Sequence, residues 1–477
     1  MRLMSNVRWL SLSQAVRITT QLISVTVLAR LLPPEAYGLM AMATVVTNFA
    51  YLFRDLGTGA ALIQAREVRP ALQDTLHWSI VLFGLLLALA LTLMAPLVAR
   101  IFREPELLQV LCLLAWIFPL ASLGVVRQAM LEREQAFARV AMAEIAAALL
   151  ALLLALGMAW AGAGVYSLVA QVIVATLIST VLLAALAGFR PHLRWQRSEF
   201  AAVAGFSGNL SLFNLVLYLA RNADSMVIGR LLGSAPLGIY ALAYRVMLFP
   251  VQNMSHVASR ALYPVLSRCQ DDVASMAALY LRTLGFIAFL AAPLMAGLFA
   301  LREPFVQAVF GPQWSAVAGV LAWLAPVGFL QAVVSTTGTV CMARGRTGLM
   351  LRLGVFSTVL QLVAFLVGAR WGIEGVAACY LLANLINAVP ALYFSGRLIG
   401  VGMRQIFACL ALPMAGAALM ALVLSVVQTQ FAASFHTAIQ VLLPCVLLGA
   451  LVYLCASALL LRPQLGQLRL LLSRSGS

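Results

Sequence analysis

The sequence predicts an all-α integral membrane protein with about 14 transmembrane helices, built as two pseudo-symmetric six-helix lobes plus two C-terminal helices. Three observations predict it. Hydrophobic residues make up 63% of the chain and charged residues only 10%, for a mean hydropathy of +1.01, which is too apolar for a soluble globule of 477 residues. The apolar residues fall into runs near the 20 residues that cross a bilayer. Finally, Arg30-Leu31-Leu32 followed by Gly38 recurs as Arg230-Leu231-Leu232 followed by Gly238, each time between two apolar runs. The flanks agree, with Gln14 opposite Asn214, Gln21 opposite Arg221 and Ser24 opposite Asp224. A duplicated membrane chain encloses a central site in many secondary transporters, so the repeat points to transport.

Taken in order, the spans are predicted near 10–29, 36–53, 77–99, 106–126, 138–160, 164–189, 200–221, 235–255, 278–301, 314–338, 348–369, 374–396, 404–427 and 437–461. The first run is too long and too polar for a cleaved leader and reads as a span. An N-terminal lobe of spans one to six covers 1–190. An Arg-rich stretch, 191–199, reads as a cytoplasmic interfacial linker. Spans seven to twelve form a second lobe over 200–396, and 397–477 holds two extra spans and a tail.

Orientation follows from arginine, which supplies all 31 basic residues. About 22 of these fall in one alternating set of loops and about seven in the other, which places both termini in the cytoplasm. The net charge of +16 is therefore chiefly a topology signal; no basic soluble domain exists to take a nucleic acid. The seven cysteines are scattered without a CxxC pair or a histidine cluster, and read as small core residues. No metal site, cofactor site or catalytic residue is predicted, since HExxH, GxSxG, Walker A and DxD runs are all lacking. The glycines of Phe53-Arg54-Asp55-Leu56-Gly57-Thr58-Gly59 follow a span and not a strand, which rules out a dinucleotide loop.

Polar residues inside spans carry the functional reading. Ser207, Ser211, Asn214, Tyr218, Arg221 or Asn222, and Ser225 recur at steps of three and four, on one face of the seventh span. Ser13, Arg17, Thr20 and Ser24 do the same on the first, with Gln14 and Gln21 beside them. Two readings stand: a wet cavity lined by spans one and seven, or polar packing between helices. Arginine favours the first. At about 1.5 Å per residue, Arg17 lies some 20 Å below Arg30, and Arg245 about 10 Å inside from Gly238. A guanidinium at such depth needs water, an anion or an acid, and its planar fork suits phosphate oxygens. Pairing with Glu144, Asp224 or Asp55 is the alternative. Glu144 and Asp224 are also the candidates for ion coupling.

The run Asn222-Ala223-Asp224-Ser225-Met226-Val227-Ile228-Gly229-Arg230-Leu231-Leu232-Gly233, then Leu237-Gly238-Ile239-Tyr240-Ala241-Leu242-Ala243-Tyr244-Arg245 and Tyr263-Pro264, resembles the second-lobe signature of bacterial polysaccharide flippases. Leu28 to Gly38 and Phe53-Arg54-Asp55-Leu56-Gly57 resemble the colanic-acid-type branch. The resemblance runs to about Arg404. It implies a carrier in the bacterial inner membrane for undecaprenyl-diphosphate-linked oligosaccharide, within the superfamily that includes multidrug exporters and lipid II flippases. It also implies membrane lipids and a polysaccharide assembly machinery as partners. Relatives place cations in a cavity between lobes, which matches Arg17 and Arg245; Arg221, Asn214, Tyr218 and Ser211 complete the candidate substrate site. The competing readings are a multidrug/cation antiporter of the same superfamily and a membrane-embedded polymerase or ligase, which usually carries a large outward loop that this chain lacks.

Overall fold

The computed structural model describes residues 2–54, 69–197, 218, 222–268, 272–431 and 437–474. Among these residues there are sixteen α-helices, two short 3₁₀ turns and no strand. Ten stretches among the described residues are long and apolar enough to cross a membrane. The protein is an all-helical, multi-span membrane protein. The chain divides into two compact units, Met1–Gly238 and Ile239–Ser477, with the division falling inside one helix.

The first unit contains α1 (Arg2–Leu31), α2 (Pro34–Arg54), α3 (Pro70–Phe102), α4 (Glu106–Ala115), α5 (Ile117–Arg133), α6 (Phe137–Trp160), α7 (Val165–Leu186), α8 (Ala223–Leu231) and the first turn of α9 (Ser234–Arg268). Thirteen of the fourteen predicted spans coincide with helices; the seventh, near 200–221, lies outside the described residues except for Tyr218. The fourth span is split in two at Trp116. Pro119 has no N–H to give to the carbonyl of Ala115, so the ladder lapses there and resumes within a residue. Sequence also favours the observed ends of α3: Pro70 sits in its first turn, and Arg103 closes it in the left-handed region at φ 61°.

Helix α6 shows how an apolar sequence packs inside lipid. Ala143, Ala147, Ala151, Ala155 and Ala159 recur every four residues and are buried, whereas Leu149, Leu150 and Leu153 face outward, Leu153 being 65% exposed. Small residues let neighbouring backbones approach, and leucines meet acyl chains at no cost. The neighbours are α1 and α7, both packed along α6.

The second unit holds the rest of α9 with α10 (Val273–Ala300), α11 (Arg302–Val309), α12 (Ala316–Ala343), α13 (Thr347–Gly368), α14 (Gly372–Leu398), α15 (Met403–Phe431) and α16 (Ala438–Arg474). Asp272 caps α10 by accepting the Ser275 N–H at 3.0 Å, and its bonds with Ser275 hold the carboxyl below the usual carboxylate range. One core gathers Tyr280, Leu284, Val333, Val340 and Ile406; another gathers Met420, Leu424, Cys445 and Tyr453. The short helices α8 and α11 were not anticipated as separate elements, because eight or nine residues fall below a span-length window.

Candidate functional site

Helix α1 sorts its polar residues onto two faces. Ser13, Thr20 and Ser24 are buried. The Ser13 hydroxyl donates to Glu144 Oε2 of α6 at 2.6 Å, and Ser24 Oγ lies 3.0 Å from the Gln171 amide nitrogen of α7. For Ser13 and Ser24 the packing alternative therefore holds: each hydroxyl is taken up by a neighbouring helix. Arg17 is different. It is exposed beside exposed Gln14 and Gln21, and its guanidinium donates to Gln14 Oε1 at 2.6 Å. Among the described residues Arg17 forms no ion pair, and Glu144 is engaged by Ser13 instead. Glutamine neutralises no charge, so the cation of Arg17 remains available to an anion.

The other candidates separate. Ser211, Asn214 and Arg221 lie outside the described residues. Tyr218 is half-buried; its hydroxyl donates to the Val45 carbonyl of α2 at 2.7 Å, and its ring lies 6.2 Å from that of Phe49. That hydroxyl is thus committed to packing. Asp224 is buried in the first turn of α8, where Oδ1 accepts the Ser225 N–H at 2.6 Å and the negative charge suits the helix N-terminus. Arg245 is exposed on α9 in the second unit, next to Tyr244, whose ring stacks with Tyr240 at 5.9 Å and lies 6.4 Å from Tyr380.

Two polar groupings escaped the sequence reading. In the second unit, Gln331 donates to the Tyr380 hydroxyl at 2.7 Å, and Asn384 and Asn387 are buried on the same face of α14. The signal was Tyr-x₃-Asn-x₂-Asn inside an otherwise apolar run. In the first unit, the Arg-rich linker is pinned to α3: His192 N–H donates to Asp74 at 3.0 Å, Gln196 N–H to Thr75 at 3.1 Å, Trp78 to the His192 carbonyl at 2.8 Å and Trp195 to Ser79 at 3.0 Å. Arg190, Arg194 and Arg197 remain exposed. Among the described residues no group of three acidic, histidine or cysteine side chains could hold a metal ion.

The second unit also contains an apolar cavity of about 560 Å³ between α10, α15 and α16, lined by residues such as Leu290, Leu294, Leu424, Val446 and Tyr453. Its lining is almost wholly apolar.

The family described as polysaccharide biosynthesis protein matches residues 27–319, more than half of the chain. The chain belongs to that family. Several relatives extend the likeness along nearly its whole length. The lipopolysaccharide biosynthesis protein WzxC of Escherichia coli (strain K12) is 26% identical over 86% of this chain and 84% of its own. The teichuronic acid biosynthesis protein TuaB of Bacillus subtilis (strain 168) is 27% identical over 82% and 85%. The succinoglycan biosynthesis transport protein ExoT of Rhizobium meliloti (strain 1021) is 26% identical over 94% and 91%. Among solved structures, the lipid II flippase MurJ in an inward closed conformation aligns with a TM-score of 0.74, covering 95% of this chain and 99% of MurJ at 14% identity. An inward-facing multidrug resistance transporter of the MATE family aligns at 0.59, covering 83% and 98% at 18% identity. At such identities the likeness establishes the fold: this family member has the MurJ/MATE-like transporter fold.

Proposed function

We propose that the protein carries undecaprenyl-diphosphate-linked oligosaccharide units from the cytoplasmic to the periplasmic leaflet of the bacterial inner membrane by alternating access, for exopolysaccharide, capsule or O-antigen synthesis. The observation that carries this reading is full-length similarity to proteins named for polysaccharide synthesis, one of them a transport protein of which 91% is covered. In this reading both termini lie in the cytoplasm, the orientation that the arginine distribution supports.

In this reading Arg17 and Arg245 meet the diphosphate, sugars occupy a hydrated path, and the polyprenyl tail stays in an apolar setting such as the cavity beside α16. The chain's own contribution is electrostatic and steric: an exposed cation at membrane depth replaces the hydration that the diphosphate loses. Glu144, hydrogen-bonded to Ser13 one helical turn from Arg17, is the acid placed to respond to an ion gradient; Asp224 is the second candidate. A multidrug antiporter has the same fold, but an exposed arginine repels a cationic drug.

The test uses the native host with the gene deleted. Loss of surface polysaccharide, with lipid-linked oligosaccharide accumulating on the cytoplasmic side, is the expected result. Unchanged polysaccharide together with new sensitivity to cationic drugs favours the antiporter.

A further inference from the structure

The Arg-rich linker is held more firmly than a simple connection needs. Along one side of α3, Asp74 and Thr75 accept the His192 and Gln196 N–H groups, Ser79 accepts the Trp195 indole N–H, and Trp78 donates to the His192 carbonyl. Just before it, Phe189 packs on the core formed by Leu72, Leu76 and Val126. The side chains left on the outer side are of two kinds. Arg190, Arg194 and Arg197 are exposed, and among the described residues none of the three forms an ion pair. Between them, Leu193 is 88% exposed and Trp195 56%. The segment 190–197 has no acid of its own, and Asp74 beneath it is buried and taken up by His192.

The depth of this surface follows from α3. Its 33 residues extend about 50 Å, against a hydrocarbon core of about 30 Å, so the helix reaches well into the headgroup layers. Asp74 to Ser79 all lie within about 14 Å of Pro70, the first residue of that helix. The linker bonded to them therefore lies at headgroup level. A guanidinium there meets lipid phosphate, while leucine and tryptophan enter the boundary with the acyl chains. Nucleic acid would engage the arginines but offers nothing to Leu193. We propose that the linker is a docking surface for anionic phospholipid headgroups of the cytoplasmic leaflet, with Arg190, Arg194 and Arg197 on the phosphates and Leu193 and Trp195 inserted beside them. The docking depends on the orientation given above and not on what the protein carries.

The experiment uses the full-length chain with its seven cysteines replaced and Leu193→Cys carrying an environment-sensitive fluorophore, reconstituted into phosphatidylcholine vesicles with a rising share of phosphatidylglycerol. Emission should shift to the blue as the anionic lipid is added, and concentrated salt should reverse the shift, because exposed charges are screened. With Arg190, Arg194 and Arg197 all replaced by glutamine, the shift should vanish while the melting temperature stays that of the parent. Should the triple variant melt early, Arg194→Gln alone decides: it should raise the share of anionic lipid needed for half the shift by about fivefold. Emission that ignores lipid composition, or a shift that the glutamine variants keep unchanged, overturns the docking. Shielding of the label that requires added cytosolic protein, whatever the lipid, assigns the face to a protein partner and overturns it as well. Reaction of Leu193→Cys in intact cells with an impermeant reagent added outside shows instead that the orientation is inverted, a failure distinct from loss of lipid dependence.

Discussion

Arg17 shows why one residue can carry a functional argument when its neighbours cannot. Four polar residues of α1 share a helical face by periodicity, yet Ser13 and Ser24 spend their hydroxyls on α6 and α7 while Arg17 stays exposed. Spacing reports which residues lie together; it does not report whether a neighbouring helix or water lies opposite. Arg17→Ala should remove a charge-assisted contact worth about 2 kcal/mol, a roughly 30-fold loss in transport at limiting substrate. Arg17→Lys should recover only part of it, because an ammonium lacks the fork. Membrane abundance should stay normal in both, as the side chain is exposed and its hydrogen bond goes to Gln14 on the same helix. Transport by Arg17→Ala at the wild-type rate removes Arg17 from the site. Glu144→Ala, by contrast, leaves the buried Ser13 hydroxyl without its acceptor and should lower the melting temperature of the purified protein, at a cost of about 1–3 kcal/mol.

Among the elements, the spans themselves were the most legible feature, since a bilayer imposes a length that a run of apolar residues reveals. Breaks were less so: Pro119 is visible in the sequence, but only the helix shows that its missing donor divides a span into α4 and α5. The inner face of α6 was equally hidden, because an alanine every fourth residue hardly changes hydropathy. Ala151→Leu should overpack the contact with α1 and α7 and destabilise by about 1–3 kcal/mol, whereas Leu153→Ala on the exposed face should cost under about 0.5 kcal/mol. Thermal unfolding of both variants in one lipid nanodisc preparation gives the comparison; equal melting temperatures contradict the assignment of faces. The linker makes a similar point. Its arginines marked it as interfacial, but its four bonds to Asp74, Thr75, Trp78 and Ser79 needed the fold. Asp74→Ala should free the segment, read as faster tryptic cleavage at Arg194 or Arg197; an unchanged cleavage rate shows that this bond is dispensable.

For the whole molecule, the duplicated run was legible as a spacing of 200 residues, and the structure adds the reason for its glycine: the two copies touch at that point. The candidate site was read less completely. Arg17 is exposed on α1, Tyr218 proves tied to α2, and the polar face of α14 was overlooked because three scattered polar residues barely dent a mean hydropathy of +1.01. The central claim is that this fold moves a lipid-linked anion across a bilayer. Its most direct test is purified protein in liposomes holding fluorescent undecaprenyl-diphosphate oligosaccharide, with outer-leaflet label destroyed by an impermeant reductant. The account predicts that nearly all label becomes reducible with wild-type protein, and that with Arg17→Ala the inner-leaflet share follows roughly 30-fold more slowly. Wild-type vesicles that protect their inner-leaflet label as fully as protein-free ones would contradict it.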